Sequence, residues 1–168
     1  MGYVHDTQMA QYIPPNAMNY VTGTWADAAG AVANTIVRRK TAAAETTTIT
    51  VPIIIPSNAA ALKGAAIASV ELDYEISTAA ATSVTLALNK VTRGADTADA
   101  VVAAVTGTQL LTPATTAATV DEHKDKFTVT TPAYIDNDEY YLLKVTAVCA
   151  ATTVIEILGA VVNFTLRV

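Results

Sequence analysis

Cysteine is almost missing from this chain of 168 residues, which has a single thiol at Cys149. One thiol excludes an intramolecular disulfide and any cysteine-rich zinc site. Cys149 falls in the alternation Leu143, Val145, Ala147, Cys149, where it reads as a small core residue rather than a nucleophile. Histidine occurs twice and aromatics make up 6%. Charged residues reach only 15%, against about 25% in ordinary soluble domains. A folded body with so few charges exposes an unusually apolar surface, and such surfaces mark association sites. Long apolar runs are absent too, since no segment approaches the roughly 18 residues of a membrane-spanning helix.

Basic charge is also scarce. The net charge is −5 with a pI near 4.8, which argues against nucleic acid or an anionic membrane as the main partner. The one basic run, Arg38-Arg39-Lys40, reads as the polar end of a strand. The N-terminal stretch MGYVHDTQMAQY has no basic region followed by an apolar one, so synthesis in the host cytoplasm without a signal peptide is expected. Position 6 is Asp6, not the Ser or Thr of a myristoylation motif. GxSxG, GxxxxGK[ST], GxGxxG and HExxH do not occur. The expectation is a non-enzyme with no catalytic residues and no cofactor.

Alanine and threonine supply about a third of the chain, a bias compatible with strands and turns. The length fits one domain. The clearest alternation sets Val70, Leu72, Tyr74 and Ile76 against Glu71, Asp73 and Glu75, as a strand with one buried and one wet face requires. Ser83 to Thr92 continues it with Val84, Leu86 and Leu88, and the short link STAAATS between them suggests an antiparallel hairpin. Thr47, Ile49, Val51 and Ile53 alternate with Thr46, Thr48 and Thr50, with Pro52 and Pro56 indicating an edge or strand end. Further strands are read within 31–40, 126–130, 139–149 and 154–168, with Gly159 as a bulge. Residues 93–125 are ambiguous: 97–105 suits a short helix capped by Asp96 or Thr97, or a strand lies near Val101 to Gln109. About eight strands at this spacing predict an all-β antiparallel sandwich over 31–168, with jelly-roll topology.

Residues 1–30 differ, with Pro14-Pro15, several tyrosines and Trp25 but little periodicity. They read as an extended N-terminal arm that lies along its own body or reaches a neighbouring subunit. Tyr3, Tyr12, Ile13, Pro14, Pro15, Tyr20 and Trp25 are its candidate interface residues, because aromatics bury large areas at little rotamer cost. Two further clusters invite a chemical reading. Asp136, Asp138 and Glu139 offer oxygen ligands suited to calcium, yet lack the ligand ladder of an EF-hand. Asp-Asn-Asp between strands is also what a tight turn selects, and the turn is the favoured reading, with no metal. The run 121–126, DEHKDK, reads as a solvated loop, since His123 has no nearby partner for zinc or acid–base work.

The segments YIPPNAMNY, VELDYEIS followed by TSVTLALNK, FTVTTPAYIDNDEYYLLKVTA and LGAVVNFTLRV together resemble the small jelly-roll structural proteins of tailed-phage virions, in particular capsid decoration proteins. The resemblance implies symmetric, trimer-like assembly on a virion surface, with copies of the chain and a major capsid protein or other virion component as partners. It transfers no binding residue. Two other functions remain open: a subunit of an extracellular filament built by strand addition, and a receptor- or carbohydrate-binding jelly-roll module. Fold alone does not separate them.

Overall fold

The computed structural model describes residues 5–29, 36–57, 64–94 and 99–167. Its elements are β1 (Asp6–Ile13), a 3₁₀ turn (Pro15–Ala17), β2 (Asn19–Thr22), β3 (Trp25–Ala29), β4 (Ile36–Lys40), β5 (Glu45–Ile53), β6 (Gly64–Ser77), β7 (Ser83–Thr92), β8 (Val101–Ala104), β9 (Gly107–Gln109), β10 (Asp121–Val129), β11 (Glu139–Cys149) and β12 (Val154–Arg167). Two antiparallel sheets form a sandwich. The seven-stranded sheet runs β3-β4-β12-β6-β10-β9 with β1 also on β12, and the five-stranded sheet runs β2-β5-β11-β7-β8. Within them the order β4-β12-β6-β10 lies against β5-β11-β7-β8, which is the interleaved order of a jelly roll. The remaining four strands extend or patch these layers.

Alternation explains the core. Ile49, Val51, Leu72, Tyr74, Ile76, Leu88, Leu143, Ile157 and Val162 are all essentially inaccessible and face one another between the sheets. Pro52 sits inside β5 opposite Leu142, but β2 pairs only with Thr48–Thr50, so at Pro52 the strand is locally an edge and no ladder donor is missed. Gly159 marks a bulge where the register with β6 slips, and a second slip lies between Asn163 and Phe164, where Ala68 becomes the extra residue of β6.

Four expectations change. The link between β6 and β7 is not a hairpin: β6 belongs to the larger sheet and β7 to the smaller, and the connection arches between layers. It has no Asn-Gly type turn, and Thr78 turns the chain at φ 73° instead. Residues 101–109 hold two short strands rather than a helix, while 95–98, including Asp96 and Thr97, lie outside the described residues. The strand expected from 126 begins at Asp121. Its inward positions there are His123 and Asp125, so hydrophobic alternation could not reveal it. Finally, the N-terminal segment is extended and lies along its own body, one of the two placements expected, but as strands of both sheets: β1 pairs with β12 over eight consecutive residues, β2 with β5, and β3 with β4.

Candidate functional site

Of the predicted interface residues, Pro15, Tyr20 and Trp25 come together, while Tyr12 lies over Gly159. Tyr3 lies outside the described residues. Ile13 and Pro15 are buried, Ile13 in the core, while Pro14 is exposed and precedes the 3₁₀ turn. Tyr20 and Trp25 pack as tilted rings 4.8 Å apart against the core. Tyr20 Oη donates to the Pro15 carbonyl at 2.9 Å, Trp25 Nε1 donates to the Thr22 carbonyl at 3.0 Å, and the Arg38 guanidinium lies 5.0 Å over the Tyr20 ring. Burial pushes the Tyr20 phenol well above its ordinary range. Tyr12 stays largely exposed, at 57%; its ring covers Gly159 and its hydroxyl donates to Leu158 O at 2.9 Å. A Cβ on Gly159 would sit 2.5 Å from that ring, so the glycine is required for the ring to lie there.

The acidic knot forms a turn at Asn137 and Asp138. Glu139 N donates to Asp136 O at 3.1 Å, Asp136 N donates to the Glu139 carboxylate at 3.2 Å, and Arg93 N donates to Asp138 O at 2.8 Å. Lys90 also donates to Glu139, and this contact raises the lysine's pKa. Asp136 and Glu139 are therefore engaged with local backbone and a lysine, as a turn requires. Among the described residues no group of three His, Cys, Asp or Glu is placed to hold a metal ion.

The run 121–126 holds what the sequence reading missed. Asp125 has no exposed surface; it accepts from Gln109 Nε2 at 2.5 Å, Leu111 N at 3.0 Å and Lys126 N at 2.8 Å. Gln109 in turn donates to Val84 O and accepts from Leu86 N, both at 2.9 Å, so one amide ties β10 of one sheet to the open edge of β7 in the other. His123 is buried against Tyr74, with ring centroids 4.9 Å apart, and its Nε2 donates to Thr119 O at 2.9 Å. Lys40 is likewise fully inside: its Nζ donates to the carbonyls of Thr41, Ala43 and Thr153 at 2.8 to 3.3 Å and lies 3.6 Å from Glu45. Buried charges survive only with such complete pairing. The sole sequence signal was a charged residue at an inward phase of a strand. Cys149 is buried and its thiol pKa is raised by burial, which disfavours the reactive thiolate.

On the outer face of the larger sheet the carboxylates of VELDYEIS meet lysines of β10. Lys126 lies 3.3 Å from Glu71 and Lys124 lies 3.9 Å from Asp73. Partial burial, opposed by Lys124, raises the Asp73 pKa. Past this ladder, at the Ala68 bulge, a groove of about 450 Å³ opens between β1, β12, β6 and β10.

The edge of the smaller sheet is different. Val101–Ala104 is exposed at all four positions, with Val101 64% and Val102 65% accessible. Among the described residues its only strand partner is β7. Its outer backbone groups have no strand partner among the described residues, both faces are exposed, and no charge, proline or bulge within it blunts the edge.

No protein-family model and no curated protein matches the chain. Among solved structures it is similar to an arabinose-bound GH51 α-L-arabinofuranosidase, with a TM-score of 0.45 and 10% identity over 91% of this chain. The match spans 24% of that enzyme's length. Likeness at this level assigns no activity to the chain.

Proposed function

We propose that this protein is a non-enzymatic structural unit that assembles with copies of itself, and that its setting is a virion surface, where it stabilises a capsid. The self-assembly reading is carried by β8. Four consecutive small apolar residues present two open faces and an open ladder edge to water, an arrangement that soluble monomers ordinarily suppress. Supporting it is the low charged fraction of 15%, which leaves an apolar surface for sister copies to cover. The virion setting draws on the sequence resemblance alone. The open edge equally suits strand addition, and so supports the filament reading as the second possibility.

The test is the mass of the particle in solution. Light scattering across a hundredfold concentration range is expected to find a closed oligomer. Replacing Val101→Lys together with Val102→Glu should leave a monomer whose melting temperature is little changed, because exposed substitutions shift stability by about 0.5 kcal/mol or less. A wild-type monomer at the highest concentration overturns the proposal, while open fibres in micrographs select the filament. Mass spectrometry of purified particles from the producing host tests the setting.

A further inference from the structure

The geometry points to a binding groove for a neutral oligosaccharide on the outer face of the seven-stranded sheet, remote in the fold from the β8 edge and independent of assembly. The two bulges of that face are treated differently. At Gly159 the Tyr12 ring closes the gap. At Ala68 no tyrosine does so, and the small residues Ala10, Ala68 and Ser69 line a 450 Å³ groove together with Met9, Phe164 and six polar positions that include Ser69. That volume lies within the range of small-molecule sites, and bulges recur beside such sites because they re-aim side chains.

Six polar side chains line it: Gln8, Ser69, Glu71, Lys126, Asn163 and Thr165. Asn163 Nδ2 donates to Ser69 Oγ at 3.3 Å and to Glu71 Oε1 at 3.2 Å, and Lys126 sits 3.3 Å from the same carboxylate. These contacts tie the polar side chains to one another and match the one positive charge with the one negative. An ionic ligand, of either sign, would have to break that pair. Gln8 and Thr165 keep their polar atoms uncommitted among the described residues. What remains is a mixed set of donors and acceptors with no net charge, which suits hydroxyl groups that both give and take hydrogen bonds. A peptide strand would instead seek a sheet edge. Tyr12 projects from the same face of β1 as Ala10, about 7 Å along the strand. Its exposed ring offers a flat apolar surface at the groove's end for the C–H face of a sugar.

The test begins with the full chain on an array of neutral oligosaccharides built from hexoses, pentoses and N-acetylhexosamines, with sulfated and sialylated glycans alongside. Calorimetry then follows with the neutral oligosaccharide retained best. Gln8→Ala and Thr165→Val should each weaken binding about three- to tenfold, the worth of one hydrogen bond, and Tyr12→Ala about tenfold. The Val101→Lys, Val102→Glu variant should bind each site unchanged, which separates this proposal from the assembly reading. A blank array, retention of anionic glycans only, or affinity unmoved by Gln8→Ala and Thr165→Val overturns it. Should Tyr12→Ala fail to fold, the other two variants decide.

Discussion

Two stretches of this molecule lie at the margins of its sheets with exposed apolar side chains, and they behave in opposite ways. Asp6–Ala29 carries the aromatics and prolines that look adhesive in sequence, yet its rings are engaged within this chain: Tyr20 and Trp25 pack against the core and Tyr12 bonds Leu158. Val101–Gln109 looks unremarkable and ambiguous in sequence. Its β8 edge is nonetheless open on three sides among the described residues, while Gln109, five residues beyond the end of β8, is held by Asp125. A side chain's apolar character in sequence thus says little about whether the fold leaves it exposed. What matters is whether the backbone around it has already found a partner.

Three experiments sharpen this contrast. The largest effect is expected at the inner anchor of the second stretch. Asp125→Ala removes the acceptor of Gln109 and Leu111 and leaves their donors buried. Chemical denaturation should show a loss of about 3 kcal/mol or more, as for other broken buried charge networks. Hydrogen exchange should rise first at residues 105–111.

A smaller loss tests the first stretch. Trp25→Ala strips a half-buried ring from the core and from Tyr20 and should cost about 2 kcal/mol. Light scattering should meanwhile show the same particle mass as wild type. If that variant loses assembly while keeping its stability, the N-terminal segment is the interface after all and the comparison is reversed.

The smallest effect concerns how β1 is fastened. Arg167 grips the Asp6 carboxylate with two nitrogens at 2.6 and 2.7 Å, and this hydrogen bonding holds the Asp6 pKa below its ordinary value. A lowered carboxylate pKa means that the unfolded chain binds the proton more readily. The pair's contribution is therefore complete above the unfolded value near pH 4 and is lost as pH falls through the lower folded one. Melting curves of wild type and Asp6→Asn should differ slightly at neutral pH and converge at the acid end. A constant gap across pH 2 to 7 excludes the ion pair as the cause.

Much of the architecture could be read from residue order. Period-two alternation in Val70–Ile76, Thr47–Ile53 and Ala160–Phe164 marked buried faces that the structure buries, because a strand with one apolar face has only one way to turn toward a core. The jelly-roll order followed from the strand count and spacing. Where the inward residues are polar the reading failed: His123 and Asp125 broke the alternation, so a strand read as a loop. Their satisfaction depends on Thr119, Gln109 and Leu111, whose proximity no local pattern announces.

Neighbouring residues by themselves determined which faces are buried, where Gly159 must bulge and that Asp136–Glu139 turns, since these follow from short-range sterics and hydrophobic period. Only the tertiary structure decided that Tyr20 and Trp25 pack against the core, that β6 and β7 belong to different layers, and that β8 and the Ala68 groove are left open among the described residues. Those outcomes depend on which distant strands claim each backbone edge and each outer face, a competition settled across the whole sandwich at once.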